Sequence, residues 1–135
     1  MILVDTNVII DVIGRDPVWA DWSRVQLNTA AITDETAINE VVYAELSAGY
    51  RHYEEVDGFI AEAGFTLIRT PRPALFLAGK ALQRYRRAGG SRTGVILDFF
   101  IGAHAIVSDA KLLTRDPTRY RTYFPGIAVI APDFT

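Results

Sequence analysis

Four acidic side chains stand in apolar or strand-end surroundings that a solvated carboxylate would avoid: Asp5, Glu45, Asp98 and Asp116. Asp5 follows directly on the apolar run Ile2-Leu3-Val4, and Asp116 follows the run Lys111–Thr114 after one residue. Glu45 shares a helical stripe with Ile38, Val41 and Val42, and Asp98 is the sole charge between Val95 and Ala103. Burying a lone carboxylate costs several kcal/mol unless a cation or hydrogen bonds compensate. No Lys or Arg lies within a helical turn of Asp98, and Arg51 is too far along its helix to pair locally with Glu45. A shared metal ion would stabilise all four acids at once. With no Cys and only His52 and His104, an all-oxygen site suits Mg²⁺ or Mn²⁺, as one or two ions, far better than zinc. Beside a phosphodiester such ions orient and deprotonate a water and neutralise charge on the attacking and leaving oxygens, which is hydrolytic nuclease chemistry.

Each acid also has a plainer reading. A single acid at a strand end commonly caps a helix or sits in a turn, which applies to Asp5 and Asp116. Asp98 near a helix start is open to stabilisation by the helix dipole. Glu40 lies at a helix start, where a solvated or capping Glu is expected, and Asp11 faces Arg15 at i+4 as a surface pair. Asp109 follows Ser108 in an expected turn. His104, on a helix crowded with apolar residues, reads as a core or interface histidine, and Trp19 and Trp22 read as packing in a core or a partner groove.

The elements that must position these residues follow from periodicity and breakers. Ile2-Leu3-Val4 reads as a strand buried on both faces, turning through Asp5-Thr6-Asn7 into a helix with Val8, Ile9 and Val12 at helical spacing. Gly14 and Asp16-Pro17 stop that helix and start another through Trp19, Trp22 and Val25; residues 28–37 read as a loop leading to a short strand. Ile38, Val41, Val42, Glu45 and Gly49 predict an amphipathic helix from Ile38, closed by Gly49. A helix over about 52–63, a strand over Phe65–Ile68, and a long helix opened by Pro71 and Pro73 and ended by Gly89-Gly90 follow. Gly94 to Val107 reads as a buried central helix, Lys111–Thr114 as a strand, Asp116-Pro117 as a turn, and Ile127–Ile130 as the last strand. Strands alternating with helices predict an α/β fold: one domain over 1–135, with a mainly parallel sheet of four to five strands between helical layers. Such sheets bind ligands at the carboxyl ends of their strands.

Bulk properties narrow the partners. The net charge is only −2, but the charges are segregated: residues 1–68 carry 12 acidic and 3 basic side chains, and residues 69–121 carry 11 basic and 3 acidic. A basic half can meet a polyanion while the acidic half holds cations or a basic partner. Lys80, Arg84, Arg86, Arg87 and Arg92, around a Gly-Gly-Ser loop, are the candidate phosphate contacts, together with Arg115. The opening MILVDTNVII has no basic n-region and is broken by Asp5, so neither a signal peptide nor a membrane span is expected, and the lack of Cys fits a reducing compartment, hence the cytoplasm.

The segments M-I-L-V-D-T-N-V-I-I-D, N-E-V-V-Y-A-E-L around Glu45, D-F-F-I-G-A-H-A from Asp98 and L-L-T-R-D at 112–116, in that order and spacing, resemble the PIN-domain ribonucleases, particularly the VapC toxins of prokaryotic toxin–antitoxin pairs. The likeness covers nearly the whole length. It implies a PIN-like three-layer sandwich, Mg²⁺- or Mn²⁺-dependent cleavage of RNA, a homodimer, and a cognate antitoxin that enters the active-site groove. Carried over by motif, Asp5, Glu45, Asp98 and Asp116 are the metal-site acids, and Thr6, Asn7 and Thr114 hydrogen-bond to them or to bound water. Phe99 and Phe100 are bulkier than the pattern, and His104 stands where a smaller polar residue is common; these departures bear on substrate fit.

The rival readings are an inactive or DNA-directed member of the same fold, a phosphoacceptor or aspartyl-phosphatase domain, and a non-catalytic interaction module using the acidic half. Against the second, Asn7 stands where a phosphatase site of the haloacid-dehalogenase type would use another Asp, and Lys111 precedes its strand where a receiver's lysine would follow one.

Overall fold

A computed structural model describes residues 1–132. Its elements are β1 (Ile2–Val4), α1 (Thr6–Ile13), α2 (Ala20–Thr33), β2 (Thr36–Asn39), α3 (Glu40–Ser47), α4 (Tyr53–Ala63), β3 (Thr66–Ile68), α5 (Arg72–Arg87), α6 (Val95–Val107), β4 (Lys111–Leu113), α7 (Thr118–Tyr123) and β5 (Val129–Ile130). Short apolar strands separated by helices cannot pair as hairpins, so they form a five-stranded, wholly parallel sheet in the order β3-β2-β1-β4-β5. The α/β expectation and its sheet of four to five strands are met.

β1 is the central strand, and Ile2, Leu3 and Val4 are all buried, as a strand covered by helices on both faces requires. From β1 the chain runs outward through β2 to β3, then crosses back to β4 on the other side of β1. The right-handed crossover preference therefore puts α1–α4 on one face and α5–α7 on the other. The direction reverses beside β1, so the carboxyl ends of β1 and β4 flank a crevice. α5 offers Ala74, Ala78 and Ala81, all buried at helical spacing, and these small side chains let it lie close along α6. Gly102 does the same between α6 and α7: a Cβ there would come within 2.6 Å of the Phe124 ring and 2.9 Å of the Tyr120 ring.

Three elements differ from the sequence reading. Residues 28–33 extend α2 instead of forming a loop, because Ala30 packs into the core while the polar residues around it stay solvated. Ile38 belongs to β2 and the following helix starts at Glu40; the apparent i, i+3 stripe joined a strand residue to a helix, since Asn39 caps α3 by accepting from the Val41 and Val42 amides. The stretch after Asp116-Pro117 forms α7, whose Tyr120 is buried, as is Phe124 directly after it. Those residues, with Tyr123 beside them, were the missed signal.

Candidate active site

The crevice at the carboxyl ends of β1 and β4 collects the acids. Asp5 is the residue after β1, extended at φ −72° and ψ 147°, and its backbone amide still bonds to the Leu113 carbonyl at 2.9 Å. It holds the N-cap position of α1, yet its side chain makes no capping hydrogen bond. Instead Asp5 Oδ2 accepts from Thr114 Oγ1 at 2.9 Å and from the Tyr120 hydroxyl at 2.8 Å, with the residue only 4% exposed. Capping is thereby excluded for Asp5. Thr6, the first residue of α1, donates through Oγ1 to Glu45 Oε1 at 2.7 Å, tying α3 to the end of β1. Asn7 donates through Nδ2 to Thr114 Oγ1 at 3.3 Å and accepts from the Arg115 amide at 3.4 Å. Thr114 is a hub, because its hydroxyl also accepts from the Asp116 amide at 3.1 Å.

Asp98 lies in the first turn of α6, and its Oδ2 accepts from Arg119 Nη1 at 2.7 Å. The dipole reading is therefore incomplete: no Lys or Arg lies within a helical turn of Asp98, but a basic partner distant in sequence comes from α7. Asp116 is exposed at the rim of the crevice. Among the described residues Arg119 is the only Lys or Arg paired with any of the four acids.

The electrostatics follow from this placement. Burial raises Asp5 from 3.8 to about 6, and the charges of Asp98 and, more weakly, Glu45 add to the rise, while bonds from Tyr120 and Thr114 oppose it. Burial raises Glu45 as well, with Asp98 adding and Thr6 opposing. Burial also raises Asp98 despite the Arg119 bond and charge, and Asp116 pushes the same way. The Tyr120 phenol is driven up first by burial and then by the charges of Asp5 and Asp98, so it remains a donor. The charge of Asp98, on α6, thus reaches both Asp5 after β1 and Glu45 on α3 across a partly desolvated space, and that of Asp116 reaches Asp98. Among the described residues no three carboxylates or histidines close on one coordination point. Hydrogen bonds hold one oxygen each of Asp5, Glu45 and Asp98 around the crevice. The donor set is oxygen only and crowded with like charge, which fits a hard divalent cation.

Other singled-out residues have structural partners. Asp11 is buried and accepts from Ser23 Oγ at 3.0 Å and Arg115 Nε at 2.7 Å. The expected Asp11–Arg15 surface pair is thus replaced by a bridge from α1 to α2 and the β4 loop, and Arg15 sits at φ 52° beyond the helix end. That bridge also commits the Nε of Arg115, whose guanidinium lies 5.8 Å from the Trp19 ring centroid. Trp19 and Trp22 meet edge to face at 6.1 Å. Arg84 donates to the Tyr123 carbonyl at 2.6 Å, and Lys80 lies 5.2 Å over the Phe76 ring, while Arg86, Arg87 and Arg92 are exposed. None of Lys80, Arg84, Arg86, Arg87 or Arg92 pairs with the four acids. Glu40 accepts from the Thr70 amide at 2.9 Å. His104 is buried against Asn39 Nδ2 at 3.2 Å, and burial lowers its pKa. Phe99 is fully buried, edge to face with Tyr85, Tyr123 and Phe124, so its bulk belongs to the core.

Sequence reasoning missed Arg119, Tyr120 and Asn39. The first two ride on the overlooked α7, and Asn39 was hidden inside the helix predicted from Ile38.

The family model described as the PIN domain matches residues 2–125. The chain belongs to the PIN-domain family. PIN domains are in general nucleases. Comparison with curated proteins gives no match. Among solved structures, the PIN fold here is similar to VapBC2 from Rickettsia felis bound to a promoter DNA fragment, at 23% identity, TM-score 0.73, and coverage of 98% of this chain and 100% of that one. It is similar to VapBC-1 from nontypeable Haemophilus influenzae at 19% identity, TM-score 0.70, and coverage of 97% and 98%. A toxin–antitoxin complex from Klebsiella pneumoniae shares 21% identity, TM-score 0.68, and coverage of 96% of each chain. Among the described residues of this PIN domain no helix is long and apolar enough to cross a membrane.

Proposed function

We propose that this PIN domain is a Mg²⁺- or Mn²⁺-dependent endoribonuclease, the toxin of a toxin–antitoxin pair acting in the cytoplasm, with Asp5, Glu45, Asp98 and Asp116 as its metal-site acids. The observation that carries the reading is the set of buried or half-buried carboxylates that separate elements bring to the topological switch point, with one arginine paired to them among the described residues. A Mg²⁺ or Mn²⁺ ion held there would supply Lewis acidity toward a nucleophilic water and screening for the phosphate charge. Asp5, Glu45 and Asp98 would hold one or two such ions, and exposed Asp116 would join from the rim. Thr6, Thr114 and Tyr120 fix the carboxylate orientations, and Asn7 fixes Thr114. Exposed Arg86, Arg87 and Arg92 supply positive charge for an RNA backbone. The toxin role rests on the VapBC likeness, and on an apolar groove lined by Ile10, Ile13, Leu46 and Tyr50 beside Glu45, where an apolar antitoxin segment would fit. Exposed Leu75 and Phe76 on α5 are available to a homodimer contact.

The decisive assay compares wild type with Glu45→Gln on RNA and on single-stranded DNA, with Mg²⁺ or with EDTA. RNA cleavage is expected only with the ion, and the variant should lose about 100-fold or more, since even outer partners of a metal site carry 10–100-fold. Full activity of the variant or in EDTA would overturn the assignment, and equal cleavage of DNA would favour the broader nuclease reading.

A further inference from the structure

α7 reaches into the acid cluster twice. Tyr120 donates to Asp5 at 2.8 Å, and its neighbour Arg119 pairs with Asp98 at 2.7 Å. The tyrosine is buried against Gly102 of α6, which anchors the helix; the Arg119 and Asp98 side chains are 30% and 28% exposed, so water reaches their ion pair. A guanidinium on a flexible stem can leave such a pair without moving the backbone of α7. We infer that Arg119 is a built-in counter-cation for Asp98, displaced when the site takes up its dication and thereby freed to contact the phosphodiester.

This rests on the ion-dependent reading above and adds a residue to it. A cation held on a carboxylate that a metal needs must compete with the metal, because the two positive charges cannot share Asp98 without repulsion. Once released, the planar guanidinium presents donors in a fork suited to phosphate oxygens, at the mouth of the same crevice. The two functions have opposite signatures. Removing Arg119 should strengthen ion binding and weaken cleavage, a combination that loss of a purely structural contact does not produce.

The test uses the full metal-free chain and MnCl₂ alone, titrated calorimetrically into wild type, Arg119→Gln and Arg119→Lys. Arg119→Gln is expected to bind Mn²⁺ about three- to fivefold more tightly, the reach of a part-exposed ion pair. At saturating Mg²⁺ the same variant should cleave RNA more slowly, with Arg119→Lys recovering part of the rate. In wild type, the Arg119 Nε–Hε NMR signal, identified by its loss in Arg119→Gln, should shift with the same midpoint as ion binding. Unchanged or weaker Mn²⁺ binding in a folded Arg119→Gln, or a signal unmoved at saturating Mg²⁺, would refute the displacement. Undiminished cleavage would refute the phosphate contact. Absence of any Mn²⁺ binding by wild type would instead strike the ion-dependent reading itself.

Discussion

Replacing Asp5 by Asn should stabilise the metal-free protein at neutral pH, although it alters a buried side chain that accepts two hydrogen bonds. In the folded chain Asp5 titrates at about 6, against 3.8 for an ordinary aspartate. An acid whose folded pKa lies above its unfolded one favours folding while protonated, so stability falls as pH rises through the window from 3.8 to about 6. The resulting penalty is about 3 kcal/mol at pH 7.5 and about 1 kcal/mol at pH 4.5. Asn escapes it, and its carbonyl oxygen can still accept from Thr114 and Tyr120. Its amide hydrogens need partners at a cost of about 1–2 kcal/mol, but that cost does not change with pH. The variant's advantage over wild type should therefore be about 2 kcal/mol larger at pH 7.5 than at pH 4.5, or about 7 °C in Tm for a domain of this size. Relief of Asp98 and Glu45 acts in the same direction. Thermal unfolding in EDTA at the two pH values measures this. Added Mg²⁺ should then raise the Tm of wild type and leave that of Asp5→Asn unmoved. A Tm difference between variant and wild type that is the same at both pH values would refute the claim that Asp5 is strained by burial and like charge.

Two further outcomes follow from α7. Tyr120→Phe removes a donor to a buried charge, so the folded Asp5 pKa should move above about 6, and the pH at which Mn²⁺ binding is half lost should rise with it. The variant should lose about 1–2 kcal/mol in denaturant unfolding at pH 7.5 and less at pH 4.5, where Asp5 is neutral in the folded chain. Gly102→Ala sets a methyl 2.6 Å from the Phe124 ring, so α7 must shift; a loss of about 1–3 kcal/mol in urea unfolding is expected, together with weaker ion binding although no acid has changed. Unaltered Mn²⁺ affinity in Gly102→Ala would show that α7 does not hold the acids in place.

Local chemistry made much of this protein legible from residues alone. Ile2-Leu3-Val4 could only be a buried strand, Gly89-Gly90 marked a helix end, and lone acids in apolar runs singled out Asp5, Glu45 and Asp98, because a carboxylate's burial has to be compensated whatever the fold. Periodicity failed where an element changed type without a breaker, as at Ile38-Asn39, and where a short helix rested on tertiary contacts, as in α7.

The sequence by itself determined the alternation of strands and helices and which carboxylates needed an explanation, since both depend on side-chain type and spacing. Tertiary structure alone decided which groups answer them: that Asp5 bonds to Thr114 and Tyr120 instead of capping α1, that Asp98 meets Arg119, and that Asp11 turns inward to Ser23 and Arg115. Those partners stand up to 115 residues away along the chain. Coulombic and hydrogen-bonding energies depend on distance in space, which the order of strands in the sheet sets and the order of residues does not.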